Sequence, residues 1–207
     1  MTYFIKPGPD PISEYIRNNY IKLKAEFFEE WFPMTTNNKP QYMMQPGRML
    51  YENTIKVSAA KLSKKLLDKN ELKIVNFPLE KDNIYPLKTR MPAVYEKVPT
   101  WAALLETHND VIDQLFVDIA YPGASISSHY GVSSHCYRLH LCLQTNPGFV
   151  FNIEGELKGW AEGPGGMFMF DDGKLYHGVS YDPSTGGPQT RIVAILDIFK
   201  DYYESFN

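Results

Sequence analysis

The sequence predicts an α+β, mainly β chain: a sandwich or jelly roll of about seven or eight short antiparallel strands, with N-terminal helices packed on one sheet. From about residue 115 onward the chain breaks into short segments, most of them rich in β-branched or aromatic residues and several bounded by turn residues. The residues before 110 carry helical spacing instead. A chain of 207 residues, 43% of them hydrophobic, is ample for one core and short for two. It therefore reads as a single domain over 1–207, with a helical and loop part at 1–114 covering a β core at 115–200.

Residues 10–32 open with Asp10-Pro11 and place Ile12, Ile16, Ile21, Leu23, Phe27, Phe28, Trp31 and Phe32 at amphipathic helical spacing. Residues 54–70 read as a weaker helix, or as strand then helix. Residues 76–99 hold four prolines and read as extended loop. Residues 99–115 start with Pro99-Thr100 and set Leu104, Leu105, Val111, Ile112 and Leu115 near helical period. The strand segments follow: 115–122, 124–130, 136–145, 148–157, 165–172, 174–182 and 190–199.

The formal charge of −3 gives no basic field for a nucleic acid polymer. No apolar run approaches the roughly 20 residues of a membrane span, and the first residues lack a secretory pattern, which points to the cytoplasm. Cys136 and Cys142 lie on one predicted strand, too far apart for a mutual disulfide, and read as buried, reduced thiols.

Three of the five histidines and one of the five arginines fall within residues 127–141, SSHYGVSSHCYRLHL. Along the strand from 136, Tyr137, Leu139, Leu141 and Leu143 share one face, and Cys136, Arg138, His140 and Cys142 share the other. The apolar face suits packing against helices. The polar face lines a pocket or, on an ordinary sheet, meets solvent. His129 closes the preceding strand and is either a metal ligand or a hydrogen-bonded structural residue. His177, next to Gly178 at a strand start, is the candidate second ligand. Asp171 and Asp172 are turn formers or acceptors that orient an imidazole. Arg191 enters an apolar strand and needs a carboxylate, either a small dicarboxylate ligand or a protein acid such as Asp197 or Asp118. Two histidines with an open coordination sphere suit Fe(II), and zinc is not excluded.

Several short motifs occur in order. Pro122-Gly123 is followed by His129, seven positions after the proline, and by Arg138-Leu139-His140, whose histidine stands eleven after His129. Phe170-Asp171-Asp172 leads to His177, with Arg191 beyond, and VPTWAALLE precedes them at 98–106. Together they resemble the aspartyl/asparaginyl β-hydroxylase family, iron- and 2-oxoglutarate-dependent oxygenases on a cupin-like double-stranded β-helix. The resemblance covers roughly 98–199. It implies that His129 and His177 bind iron, that Arg191 pairs with the distal carboxylate of 2-oxoglutarate, and that His140 contacts cosubstrate. It gives Arg138 a cosubstrate or substrate contact. Gly131 stands where the wider superfamily places a carboxylate ligand, leaving a position vacant; the family lacks that carboxylate too. The His177–Arg191 interval is longer than the family's, and Asp118 stands where the family has a small hydroxyl residue near the cosubstrate carboxylate.

The resemblance implies an oxygenase that uses Fe(II), 2-oxoglutarate and O2 to hydroxylate an unactivated C–H. The substrate is a small anionic metabolite or an aspartyl/asparaginyl-type group, small-molecule or peptide. Arg138 and Arg90, with Arg48 behind them, are candidate substrate contacts. An alternative is a halogenase with chloride beside Gly131. Another is a non-catalytic cupin-like module holding a metal or small acid, and a zinc hydrolase ranks third. His135 reads as an incidental turn residue. Oligomeric state is left open.

Overall fold

The computed structural model describes residues 2–31, 72–77, 96–131 and 134–206. The segment 54–70, most of the predicted loop at 76–99, and Arg48 and Arg90 fall outside the described residues.

Helix α1 (Pro11–Glu26) starts where Asp10-Pro11 predicts. Asp10 is extended and its carboxylate accepts from the Ser13 amide at 2.9 Å, while Pro11 sits where a missing N–H costs nothing. Ile12, Ile16 and Leu23 form its buried stripe, and a π turn (Phe27–Trp31) continues it. Helix α2 (Pro99–Thr107) has no cap of its own at Val98. Glu26 supplies one: its carboxylate accepts from the Thr100 and Trp101 amides, placing an anion at a helix N-terminus. Trp101 returns the contact, its indole N–H donating to the Leu23 carbonyl at 2.8 Å.

Helix α2 is shorter than its apolar spacing predicts. It ends at Thr107, and β2 (Ile112–Ala120) begins within the span read as helix. The break is the His108-Asn109-Asp110 turn, where Asn109 hydrogen-bonds back to the Glu106 carbonyl instead of extending the helix. Ile112 and Leu115 are buried because they lie in the sheet. A further strand, β1 (Leu72–Phe77), lies in the half read as helix and loop, and pairs antiparallel with β2.

The remaining strands are β3 (Ile126–His129), β4 (Cys136–Gln144), β5 (Phe149–Ile153), β6 (Glu156–Lys158), β7 (Phe168–Phe170), β8 (His177–Tyr181) and β9 (Arg191–Phe199). The segment 148–157, read as one strand, is a hairpin. Glu154 and Gly155 both adopt positive φ, the geometry of a two-residue turn between right-twisted strands. The sheets run β1-β2-β9-β4-β7 and β3-β8-β5-β6. From β2 on, successive strands cross between the two sheets, apart from the β5-β6 hairpin, and every described pairing is antiparallel. This is the double-stranded β-helix, or jelly roll. Ile5 bridges Met169 and covers the free edge of β7.

The period-2 reading of β4 holds. Leu139, Leu141 and Leu143 join α1, α2 and the outward faces of β2 and β9 in one apolar cluster. Cys142 faces the other way, with Val193, Phe149, Phe151, Phe168 and Phe170 between the sheets. Both cysteines are free and buried. After α3 (Lys200–Glu204) the described chain ends at residue 206.

Candidate functional site

His129 ends β3 and His177 begins β8, and the two are direct cross-strand partners. Their register depends on an irregularity: Ile126 pairs with Val179 and His129 with His177, so two serines oppose the single Gly178. Gly178 permits this because a Cβ there would lie 2.8 Å from the Ile126 carbonyl oxygen and 2.9 Å from Ser128 Cα. The imidazoles sit with centroids 4.6 Å apart. His129 Nδ1 lies 2.9 Å from the Ser127 carbonyl and His177 Nδ1 lies 2.7 Å from that of Leu175. A carbonyl only accepts, so each Nδ1 carries the proton and each Nε2 keeps a lone pair, the tautomer of a metal-ligating histidine. Burial also lowers the His129 pKa, despite the opposing Ser127 bond, and so favours the neutral ring.

Asp172 completes the group. Its side chain is fully buried, with Oδ1 2.6 Å from Arg138 Nη1 and 3.3 Å from His177 Nε2. Burial opposes ionisation, but the Arg138 guanidinium prevails and this carboxyl is brought down to about 2. Its Oδ2 is buried without a hydrogen-bond partner among the described residues. The space beside Gly131, read from the sequence as vacant, is filled by this side chain. A Cβ on Gly131 would lie 1.7 Å from Asp172 Oδ2, and the Gly131 amide donates to the Asp172 carbonyl at 2.8 Å. A carboxylate from the β7–β8 turn stands beside Gly131, where the sequence offered open space. Asp171 is not beside an imidazole. It accepts from Lys200 at 2.6 Å, with Lys174 at 3.5 Å, and its carbonyl closes the turn.

The donor chemistry of this group fits a divalent metal: two imidazoles with free Nε2 atoms and a buried carboxylate with an orphaned oxygen. His129 and His177 would hold it, with Asp172 beside His177.

Arg138 faces protein acids, where the sequence offered cosubstrate or substrate. Nε and Nη2 grip the two oxygens of Asp197, each at 2.7 Å, and Nη1 takes Asp172. Gln114 also donates to Asp197. His140 lies deeper, among Phe151, Phe168, Phe170 and Trp160. Burial first, then Arg191 and Arg138, hold its pKa well below the usual histidine value. Its Nδ1 accepts from the Trp160 indole at 3.4 Å.

Arg191 is 1% exposed and ion-pairs with Asp118, one of the two protein acids the sequence offered; Asp197 is taken by Arg138. Its guanidinium carbon lies 4.2 Å from the Trp160 ring centroid, a cation–π contact. Sequence reasoning missed Trp160 and Gln114. The only signal for Trp160 was an isolated tryptophan in a Gly-rich connection.

A second group of donors, Asp113, His135 and Cys136, has ligand atoms within 4.8 Å of one another, so His135 has a partner. Burial first, then Asp197 and Asp113, raise the Cys136 pKa and keep it a thiol, a poor ligand until deprotonated.

The fold places the chain among cupin-like double-stranded β-helix proteins. A family model described as aspartyl/asparaginyl beta-hydroxylase matches residues 54–201, most of the chain, and the protein belongs to that family of hydroxylases. No curated protein matches it. Similar solved structures include a predicted oxalate decarboxylase from Thermotoga maritima, 17% identical over 46% of this chain and 73% of that one, with a TM-score of 0.36. Another is the Cupin_2 domain of an XRE family transcriptional regulator from Enterobacter cloacae, 14% identical over 62% and 97%, TM-score 0.38. A cupin superfamily protein from Desulfitobacterium hafniense is 14% identical over 44% and 70%, TM-score 0.32.

Proposed function

We propose that the protein is an Fe(II)- and 2-oxoglutarate-dependent hydroxylase acting on a small anionic metabolite or an aspartyl/asparaginyl-type group. The observation that carries this is the cross-strand pair His129–His177, with both Nδ1 atoms tied to backbone carbonyls and Asp172 alongside. Ferrous iron with 2-oxoglutarate supplies O2 activation and an oxidant for the C–H, the cosubstrate leaving as succinate and CO2.

The chain's own residues divide the remaining work. The Ser127 and Leu175 carbonyls fix both rings and their tautomers. Arg138 keeps Asp172 ionised, and Asp197 holds Arg138 in place. Arg191, deep between the sheets, offers a guanidinium to a distal carboxylate, and the Phe151, Phe168 and Phe170 rings exclude water around His140. Asp172 beside Gly131 favours hydroxylation over halogenation, because a carboxylate there repels chloride.

The test is anaerobic addition of Fe(II) and 2-oxoglutarate to metal-free protein. A visible charge-transfer band is expected, absent from His177→Ala. A band that survives His177→Ala, or no band with folded wild-type protein, removes the assignment.

A further inference from the structure

Arg191 and Asp118 form a buried pair that the proposed chemistry uses only in part. Both side chains point between the sheets, Asp118 from β2 and Arg191 from β9, the neighbouring strand. They are 4% and 1% exposed. The pair is incompletely matched. Arg191 donates to Asp118 through Nη2, while Arg191 Nε and Asp118 Oδ1 are buried without a hydrogen-bond partner among the described residues. A guanidinium edge left open in a dry site is where a second carboxylate binds, and an orphaned carboxylate oxygen is where a proton is accepted at least cost.

Two carboxylates cannot both stay ionised on one buried guanidinium, since the second gains half a partner and keeps its full desolvation penalty. The other neighbours give no relief. From β4 the pair faces His140, held neutral, and Cys142, a thiol pushed up to about 12 by burial. From β5 it faces Phe149, and the β6–β7 connection sets the Trp160 ring over the guanidinium. Among the described residues Arg191 is the one cation acting on Asp118, and burial outweighs it in raising this carboxyl. Removing half of that compensation favours the acid form.

We infer that Asp118 occupies the carboxylate seat of Arg191 in the cosubstrate-free protein and, when a dicarboxylate binds there, shares or yields the seat by taking a proton from solvent. Asp118 is thus an affinity-setting residue of this chain. Binding is tighter at low pH and weakens as pH rises, because the complex holds one proton more than the free protein. This rests on the 2-oxoglutarate reading of the site.

The test is calorimetric titration of the full chain, loaded with Mn(II), with 2-oxoglutarate in two buffers of different ionisation enthalpy. Uptake close to one proton is expected, with affinity falling about tenfold per pH unit above neutrality. Asp118→Asn should take up none and bind with pH-independent affinity; binding by this variant alone is the extreme form of the same result. The comparison of buffers on the unmodified chain needs no variant to fold. Binding without proton exchange overturns the inference and leaves the oxygenase reading standing. So does uptake that persists in Asp118→Asn, which assigns the proton to His140. Failure of 2-oxoglutarate to bind either protein overturns both.

Discussion

Gly131→Ala is the sharpest perturbation of the site, because the collision it makes is specified atom by atom. The added Cβ would sit 1.7 Å from Asp172 Oδ2, 2.0 Å from Cγ and 2.4 Å from Oδ1. A carboxylate is normally free to swing aside, but this one is tied to Arg138 at 2.6 Å, and its own backbone carbonyl is bound by the Gly131 amide. The backbone at Gly131 lies outside the positive-φ range, so alanine itself is not strained there. The cost is therefore overpacking, about 1–3 kcal/mol, together with a weakened charge-assisted hydrogen bond, about 1.5–3 kcal/mol. A total of about 2.5–6 kcal/mol is expected, read as a lower urea midpoint at unchanged m-value. In an Asp172→Gly background the same substitution should cost less than about 0.5 kcal/mol, since the colliding group is gone. Equal costs in both backgrounds would refute the claim that Asp172 fills the space beside Gly131.

Gly178→Ala pushes β3 off β8 and parts the two imidazoles, so Mn(II) affinity measured by electron paramagnetic resonance should fall at least tenfold; retained affinity would detach His129 from the site. Arg191→Met leaves Asp118 buried without its cation, at about 3–5 kcal/mol when ionised. Burial already raises the Asp118 pKa against the pull of Arg191 and raises it further once the guanidinium is gone, so this variant should gain stability as pH falls from about 8 to 6.5, seen as a rising Tm. The unmodified chain should do the opposite over its acid limb. His140 is held neutral in the fold while its unfolded counterpart charges near pH 6.5, so stability is full above that value and declines below it. His140→Leu should flatten that limb, and an unchanged slope would place the linked proton elsewhere.

Much of this architecture was legible because local chemistry and tertiary demand agree. Asp10-Pro11 both caps and starts α1, and the Leu139-Leu141-Leu143 face of β4 packs on the helices as period-2 spacing requires. Where a turn overrides a pattern the reading slipped: Ile112 and Leu115 fit a helix as well as a strand, and only the His108–Asp110 turn decides. The positive φ of Glu154 hid the β5–β6 hairpin, because a glutamate gives little warning of that conformation. Among the site candidates, the pairing of His129 with His177 and the burial of Arg191 followed the motif order. The grip of Asp197 on Arg138 did not, because it is set by the β4–β9 cross-strand register, and the placing of Asp172 at Gly131 did not, because it depends on the turn after β7; no spacing along the chain records either.

The ion pairs between the sheets carry a consequence for the order in which ligands enter. Asp118, Asp172 and Asp197 face only two guanidiniums there, Arg138 and Arg191, while the His129 and His140 rings are held towards neutrality. Counted over these groups, the space between the sheets carries an excess of one negative charge, which opposes entry of a dianion. A divalent cation reverses that sign and turns the same space into an attractor. On the proposed oxygenase reading, the expected order of loading is therefore cation before dicarboxylate, favoured by charge with no moving part.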